Sequence, residues 1–199
     1  PHAYVKPGLG LAGGNLERDL ATVRTLARAH GTDAGLVDAA LSHSAYRRDW
    51  ALRLLYREVL CRMADPVIAM WGLAYKPDTR STKNSPALAL LEAMGPCRVR
   101  VYDPQVALDR TGFPNAIQVT SALEACRGAE GLVIMTPWRE FAAVPLAQMR
   151  EFMSGRVILD PFGVLDRARC RELGLRHLRL GVRAEDPDGH VPRSLDSGP

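Results

Sequence analysis

Three stretches hold side chains whose types and spacing suit chemistry. The first is Gly8-Leu9-Gly10-Leu11-Ala12-Gly13-Gly14, which feeds a helical pattern beginning near Leu16. Glycines let backbone amides approach an anion closely, and the unpaired N–H groups of a helix start favour phosphate or carboxylate. The same composition suits a hinge or a tight packing turn. It is not a dinucleotide fingerprint, because no strand precedes it and no βαβ unit surrounds it. The second stretch runs from Gly72 to Pro86 and contains Tyr75, Lys76, Arg80, Lys83 and four hydroxyl residues. It begins at the carboxyl end of a candidate strand, the edge where open α/β sheets bind ligands. Its residue types fit a phosphorylated, sugar-bearing ligand, and equally a solvated surface loop. The third is Thr136-Pro137-Trp138-Arg139-Glu140-Phe141, again after a strand, where Trp138 and Phe141 read more naturally as sheet-edge packing. Asp160-Pro161-Phe162-Gly163 follows the fifth strand on the same edge. Five histidines (His2, His30, His43, His177, His190) lack metal-ligand spacing, so none is assigned a role.

Positioning these stretches requires particular elements. Leu16, Leu20, Val23, Leu26 and Ala27 recur at helical spacing, with Asn15 as the expected N-cap and Gly31 as the stop. A second helical pattern runs from Asp33 to Cys61 with no proline, and no glycine after Gly35. One helix of that length overhangs a small domain and is expected to pack on a second copy of the chain. After Asp65-Pro66 the texture changes, placing a domain boundary near residue 64. Strands are expected at Val67–Leu73, Val99–Tyr102, Ile117–Thr120, Leu132–Thr136, Val157–Leu159 and His177–Leu180. Helices are expected at Ser85–Met94, Ser121–Arg127, Leu146–Met153 and Asp166–Glu172. That alternation predicts an α/β class: a helical dimerisation segment (1–64) followed by a Rossmann-like parallel-sheet domain (65–183). Residues 184–199 read as a disordered tail.

Composition narrows the function classes. The 199 residues are 47% hydrophobic and 24% charged, enough to bury a core. No run approaches a membrane helix and no signal peptide is evident, so a cytoplasmic protein is expected. The net charge of +4 is too balanced to imply nucleic acid or a membrane surface as partner. Only three of the 26 basic residues are lysines, and they are Lys6, Lys76 and Lys83. Four cysteines (Cys61, Cys97, Cys126, Cys170) form no C-x-x-C pair and are expected to be buried thiols. The chain starts at Pro1, and its first residues read like the interior of a longer protein.

Five motifs in order make a resemblance specific: the glycine loop ending in Arg18-Asp19-Leu20; the long helix; the strand leading into Gly72-Leu73-Ala74-Tyr75-Lys76-Pro77-Asp78-Thr79 and Ser85-Pro86-Ala87; Val101-Tyr102-Asp103-Pro104; and Thr136 to Phe141. Over about residues 4–182 the chain resembles the UDP-glucose/GDP-mannose dehydrogenase family. The resemblance implies an NAD-binding Rossmann domain, a central dimer-forming helix and a nucleotide-sugar-binding α/β domain, of which this chain is similar to the last two. It implies NAD as cofactor, a nucleotide-sugar such as UDP-glucose as substrate, and a homodimer. By the same resemblance Tyr75 and Lys76 contact the sugar nucleotide, and Gly10 and Gly13 bring backbone to its diphosphate. Lys83 stands where the family arginine of D-x-R-E-S touches the cofactor.

The departures bear on chemistry. The family oxidises a sugar C6 alcohol to a carboxylate through a cysteine of the glycine-loop motif, and Asn15 holds that position here. A carboxamide cannot form the thiohemiacetal or thioester, so the second oxidation loses its nucleophile. The family lysine is Arg18, which keeps its charge without titrating near neutrality. Asp19 is retained and resembles the aspartate that handles water or a proton; it also suits a first-turn carboxylate stabilising the helix start. The substrate arginine of D-G-R is replaced in Asp160-Pro161-Phe162. The expected function is the C-terminal portion of a divergent NAD-dependent nucleotide-sugar 6-dehydrogenase without the NAD domain or the catalytic cysteine, inactive by itself. The alternative is a non-catalytic nucleotide-sugar-binding or dimeric scaffold protein.

Overall fold

A computed structural model describes residues 8–183. The expected tail at 184–199 lies outside the described residues. Helix α1 spans Leu16–Ala29, α2 Gly35–Arg48 and α3 Trp50–Glu58, followed by a 3-10 turn over Leu60–Arg62. Then come β1 (Val67–Trp71), α4 (Pro86–Met94), β2 (Arg98–Tyr102), β3 (Ala116–Gln118), α5 (Ala122–Ala125) and β4 (Gly131–Ile134). A second 3-10 turn covers Arg139–Ala143, and α6 (Leu146–Phe152), β5 (Val157–Leu159), α7 (Arg167–Glu172) and β6 (Arg176–Leu178) complete the order.

All six strands lie in one parallel sheet of order β3-β2-β1-β4-β5-β6. This is the doubly wound order, whose switch point falls between β1 and β4. The central strands are covered on both faces, so β4 is buried at every residue and β1 at all but its first, whereas β2 alternates buried valines with more exposed arginines. Helices α3 and α4 pack together, as do α5 and α6, and α5 lies against β1 and β2. Trp71 and Phe141 meet in a tilted pair at the carboxyl edge of the sheet with centroids 5.1 Å apart, and the Trp71 indole donates to the Ala122 carbonyl at 2.8 Å. Trp138 and Phe141 are both buried, as the packing reading expects.

The single long helix expected over Asp33–Cys61 is instead two helices, with Asp49 (φ −79°, ψ 0°) between them. Backbone bonds from Asp49 N–H to the Ala45 carbonyl and from Arg53 N–H to the Asp49 carbonyl continue through the junction, so the chain bends rather than stops. The bend has a packing reason. Helix α3 buries Ala51 and Leu55 in the sheet core, with Val59 just beyond its end, whereas α2 buries no residue at all. Val59 seats against Gly131, where a Cβ would come to 3.2 Å of its Cγ2. The start also moves from Asp33 to Gly35, because the Asp33 carboxylate accepts from the Gly35 N–H at 3.0 Å.

Two further expectations are corrected. Asn15 occupies the N-cap position of α1 but makes no side-chain cap, since its backbone is already helical (φ −98°, ψ −62°). A cap needs an extended residue there, from which the side chain reaches back to the first N–H groups. Of the four thiols, Cys126 and Cys170 are buried, Cys97 is half-buried and Cys61 is exposed. Cys61 lies in the 3-10 turn that leaves α3, past the last residue that faces the sheet. Among the described residues no helix is long and apolar enough to cross a membrane, and no group of three or more His, Cys, Asp or Glu is placed to hold a metal ion.

Candidate functional site

The carboxyl edge of the sheet brings the first two candidate stretches into contact. Gly13 donates its N–H to the Lys83 carbonyl at 3.0 Å, and the Asn84 side-chain amide donates to the Gly13 carbonyl at 2.8 Å. Gly13 has φ +83°, and a Cβ there would come to 2.8 Å of the Tyr75 ring. A Cβ on Gly14 would lie 2.9 Å from the Lys83 Nζ. Glycine is therefore required at position 13 both for its backbone and for the ring that lies on it. At its other end the loop packs Gly8 over Phe162, buries Leu9, and fixes Gly10 (φ +83°) against Ser44, whose hydroxyl accepts the Leu11 N–H at 2.7 Å. The glycine loop thus runs across the sheet edge from the loop after β5 to the loop after β1.

The loop after β1 is held from below. Gly72 (φ +93°) leaves the space filled by Thr136, whose hydroxyl donates to the Ala74 carbonyl at 2.6 Å. Ser85 donates to the Leu73 carbonyl at 2.6 Å while its oxygen accepts the Ala87 N–H, capping α4 with Pro86 in the first turn. Asp78 (φ 61°) and Asn84 (φ 49°) adopt left-handed backbone in this loop, the conformation that Asp and Asn tolerate best among residues with a side chain. Above this base Tyr75 is half-buried, and Lys76 is exposed with its Nζ 5.5 Å from the Tyr75 ring centroid.

Sequence reasoning missed the carboxylate that ties the edge together. Asp103, at the end of β2, is buried; its Oδ2 accepts from the N–H groups of Leu73 (2.6 Å) and Ala74 (3.1 Å) and from the Trp138 indole (3.1 Å). Its Oδ1 accepts from the N–H groups of Gln105 and Val106, both at 2.8 Å. Its motif, Val101-Tyr102-Asp103-Pro104, was visible, but the donors come from three separate loops. Nearby, burial together with a hydrogen bond from its hydroxyl to Glu140 pushes the Tyr102 phenol up to about 12, so it stays protonated.

At the end of β5, the buried Asp160 accepts from the Gly163 N–H (2.8 Å), the Leu165 N–H (2.9 Å) and His177 Nε2 (3.0 Å). Burial raises its pKa, but the His177 bond and the backbone donors outweigh burial and hold the carboxyl below its ordinary value. Here the sequence shows only the apolar Phe162, yet the structure brings a cation to the same loop. Gly163 (φ +70°) leaves room for the guanidinium of Arg179, which a Cβ at position 163 would overlap.

The residues at the start of α1 stand apart from this buried framework. Asn15, Arg18 and Asp19 are all exposed, and Arg18 pairs with Asp19 at 3.0 Å. Lys83 is exposed beside Gly14. The edge therefore offers exposed cations above a polar, hydroxyl-lined base, an arrangement suited to binding an anionic ligand.

Comparison with known proteins agrees with this geometry. Residues 69–167 match the profile of the UDP-glucose/GDP-mannose dehydrogenase family, UDP binding domain. UDP-glucose 6-dehydrogenase of Pseudomonas aeruginosa is 27% identical over 187 residues, covering 89% of this chain and 41% of that protein. UDP-glucose 6-dehydrogenase AglM of Haloferax volcanii is 30% identical over 161 residues, 79% of this chain and 36% of that one. Among solved structures, UDP-D-ManNAc dehydrogenase from Pyrococcus horikoshii superposes with a TM-score of 0.73 at 28% identity, covering 90% of this chain and 41% of that chain. The chain spans about 40% of the length of the relatives it matches. With its sheet, its carboxyl-edge loops and these matches, the chain belongs to the UDP-glucose/GDP-mannose dehydrogenase family, and its α/β part is that family's UDP-binding domain.

Proposed function

We propose that this chain is the nucleotide-sugar-binding and dimer-forming portion of a divergent nucleotide-sugar 6-dehydrogenase. The observation that carries the reading is the docking of the glycine loop on the loop after β1, with Gly13 on the Tyr75 ring and Gly14 beside Lys83. Tyr75 and Lys76 contact the sugar nucleotide, and the backbone at Gly10 and Gly13 approaches its diphosphate. The boundary near residue 64 marks where the α/β part begins along the chain; α3 packs into its core, which leaves α1 and α2 as the helices that form a homodimer. Helix α2 supports the dimer: it has no buried residue, Leu36 is 86% exposed, and Leu16, Val23 and Leu26 of α1 are exposed as well.

NAD, the hydride acceptor that the family resemblance implies, does not fit the described residues. At the end of β2, where a dinucleotide site keeps a free acid for the ribose, both oxygens of Asp103 are consumed by five donors. The glycine turn after β1 is filled by Thr136. We therefore assign this chain one contact towards that cofactor, Lys83.

Asn15 limits the chemistry. Its carboxamide cannot capture an aldehyde, so no thioester route to an acid exists at this position. Asp19 is the one retained acid–base candidate, held in an ion pair with Arg18. The missing thiol also favours the second reading, a non-catalytic nucleotide-sugar-binding or dimeric scaffold protein. Titration calorimetry with UDP-glucose tests the binding reading shared by both. Lys76→Ala is expected to weaken binding by roughly 10- to 100-fold, the loss of one charge-assisted contact. Equal binding by wild type and variant overturns the pocket assignment. Product analysis with NAD, on this chain with a relative's NAD-binding domain fused ahead of it, separates the two readings: an aldehyde product supports the dehydrogenase, and no turnover beside intact binding supports the scaffold.

A further inference from the structure

Arg179 is the first residue beyond β6, which puts its side chain on the same carboxyl edge as the glycine loop and the loop after β1. The guanidinium occupies the space that Gly163 leaves by having no side chain: a Cβ there would lie 2.5 Å from Cζ and 2.7 Å from Nε. The residue before Gly163 is Phe162, whose ring packs under Gly8. Arg179 therefore stands at the β5–β6 end of the row of loops that the glycine loop crosses.

The carboxylates of that loop are already engaged. Asp160 receives two backbone N–H groups and His177, and Asp166 accepts the Arg169 N–H as the cap of α7. Arg179 is half-buried, and its guanidinium has no hydrogen-bond or ion-pair partner among the described residues. A partly desolvated guanidinium without an anion is unfavourable, and its planar fork matches two oxygens of one phosphate.

We propose that Arg179 binds a phosphate of the nucleotide-sugar and closes the β5–β6 side of the site, with Gly163 required to leave room for it. This rests on the nucleotide-sugar reading above and assigns it a cation that the sequence of the loop after β5 does not contain.

Calorimetric titration of the full chain with UDP tests the assignment. Arg179→Met keeps the apolar stem and removes the charge, and is expected to weaken UDP binding about 10-fold or more. Arg179→Lys keeps the charge without the fork, and is expected to fall between wild type and Arg179→Met. Gly163→Ala displaces the guanidinium and is expected to weaken UDP in the same direction while Arg179 is still present. Should Arg179→Met fail to fold, judged by circular dichroism, the Lys variant decides: measurably weaker binding supports the proposal and wild-type binding overturns it. Wild-type binding of UDP together with unchanged affinity in folded Arg179→Met overturns the role of Arg179 alone. No binding of UDP or UDP-glucose by the wild type overturns the nucleotide-sugar reading, and this inference with it.

Discussion

Replacing Asp103 by Asn probes whether one buried carboxylate holds three loops of the ligand edge in place. Five donors converge on it: the N–H groups of Leu73 and Ala74 and the Trp138 indole on Oδ2, and the N–H groups of Gln105 and Val106 on Oδ1. Asn fits the same space but offers a single oxygen, so its NH2 must oppose donors on one side. The less costly orientation keeps the oxygen on the three-donor side and turns the NH2 toward Gln105 and Val106. Val106 is buried and Gln105 is exposed, so one full and one partial desolvation penalty apply. An unsatisfied buried N–H costs about 1–3 kcal/mol, and the three remaining bonds lose their charge assistance. The expected loss is about 3–5 kcal/mol, a large fraction of the roughly 5–15 kcal/mol that holds a domain folded. Urea unfolding followed by circular dichroism should show a lower midpoint with an unchanged slope. Hydrogen exchange should quicken at Leu73 and Ala74. Asp109→Asn is the control, because that exposed carboxylate serves only its own turn through Thr111, and its midpoint should not move. A loss below about 1 kcal/mol for Asp103→Asn would show that the loops hold one another without it.

Leu55→Ala should destabilise by about 2–5 kcal/mol, because Leu55 is fully buried among sheet residues, whereas Leu36→Ala on the exposed α2 should leave the unfolding midpoint of the monomer unchanged. Native thiol titration should label Cys61 first, while Cys126 and Cys170, both pushed up to about 12 by burial, react only on unfolding; rapid labelling of either would contradict the packing around them. The carboxyl of Asp160 is held below its ordinary value in the folded state, so its contribution is present above the unfolded value of about 3.9 and lost as pH falls through the folded one. Wild type should therefore lose stability more steeply than Asp160→Asn below about pH 4, and parallel curves would count against the His177 and backbone bonds as the cause.

What the sequence disclosed follows the range of the interactions involved. Strands β1, β4 and β5 are legible as short apolar runs set between helical stretches, and β2 as the alternation Arg98-Val99-Arg100-Val101, signals carried by adjacent residues. The carboxyl ends of β2 and β5 are read correctly, whereas those of β1, β3, β4 and β6 are each read two residues too far, at β1 and β4 for a physical reason. Leu73 and Thr136 are as buried as the strands they follow, yet they have left the ladder to build the ligand edge. The bend at Asp49 is invisible because helical spacing persists on both sides, and only the sheet demands that α3 turn. Asp103 draws its Leu73, Ala74 and Trp138 donors from residues 29 to 35 positions away, and Arg179 depends on a missing Cβ on a different strand connection. The resemblance could mark Tyr75, Lys76 and the loop glycines, but not Arg179, which lies outside its motifs.

The two ends of the candidate site are held with different firmness. Tyr75 and Lys76 rise from a loop whose base is fixed by Asp103, Thr136 and Ser85, all buried. Asn15, Arg18 and Asp19 ride on α1, which buries only Ala27 and packs on α2, a helix with no buried residue. Their position relative to the sheet is carried by the glycine loop through the Gly13 and Asn84 bonds, the Ser44 bond to Leu11, and the burial of Leu9. The proposed ligand contacts at Tyr75 and Lys76 are thus built on the core, whereas the placement of the α1 residues depends on a few loop contacts and on whatever covers α1 and α2. In a homodimer that cover comes from the partner, so assembly would set the geometry at Asn15 and Asp19 while leaving the nucleotide end of the site as the isolated sheet domain already makes it.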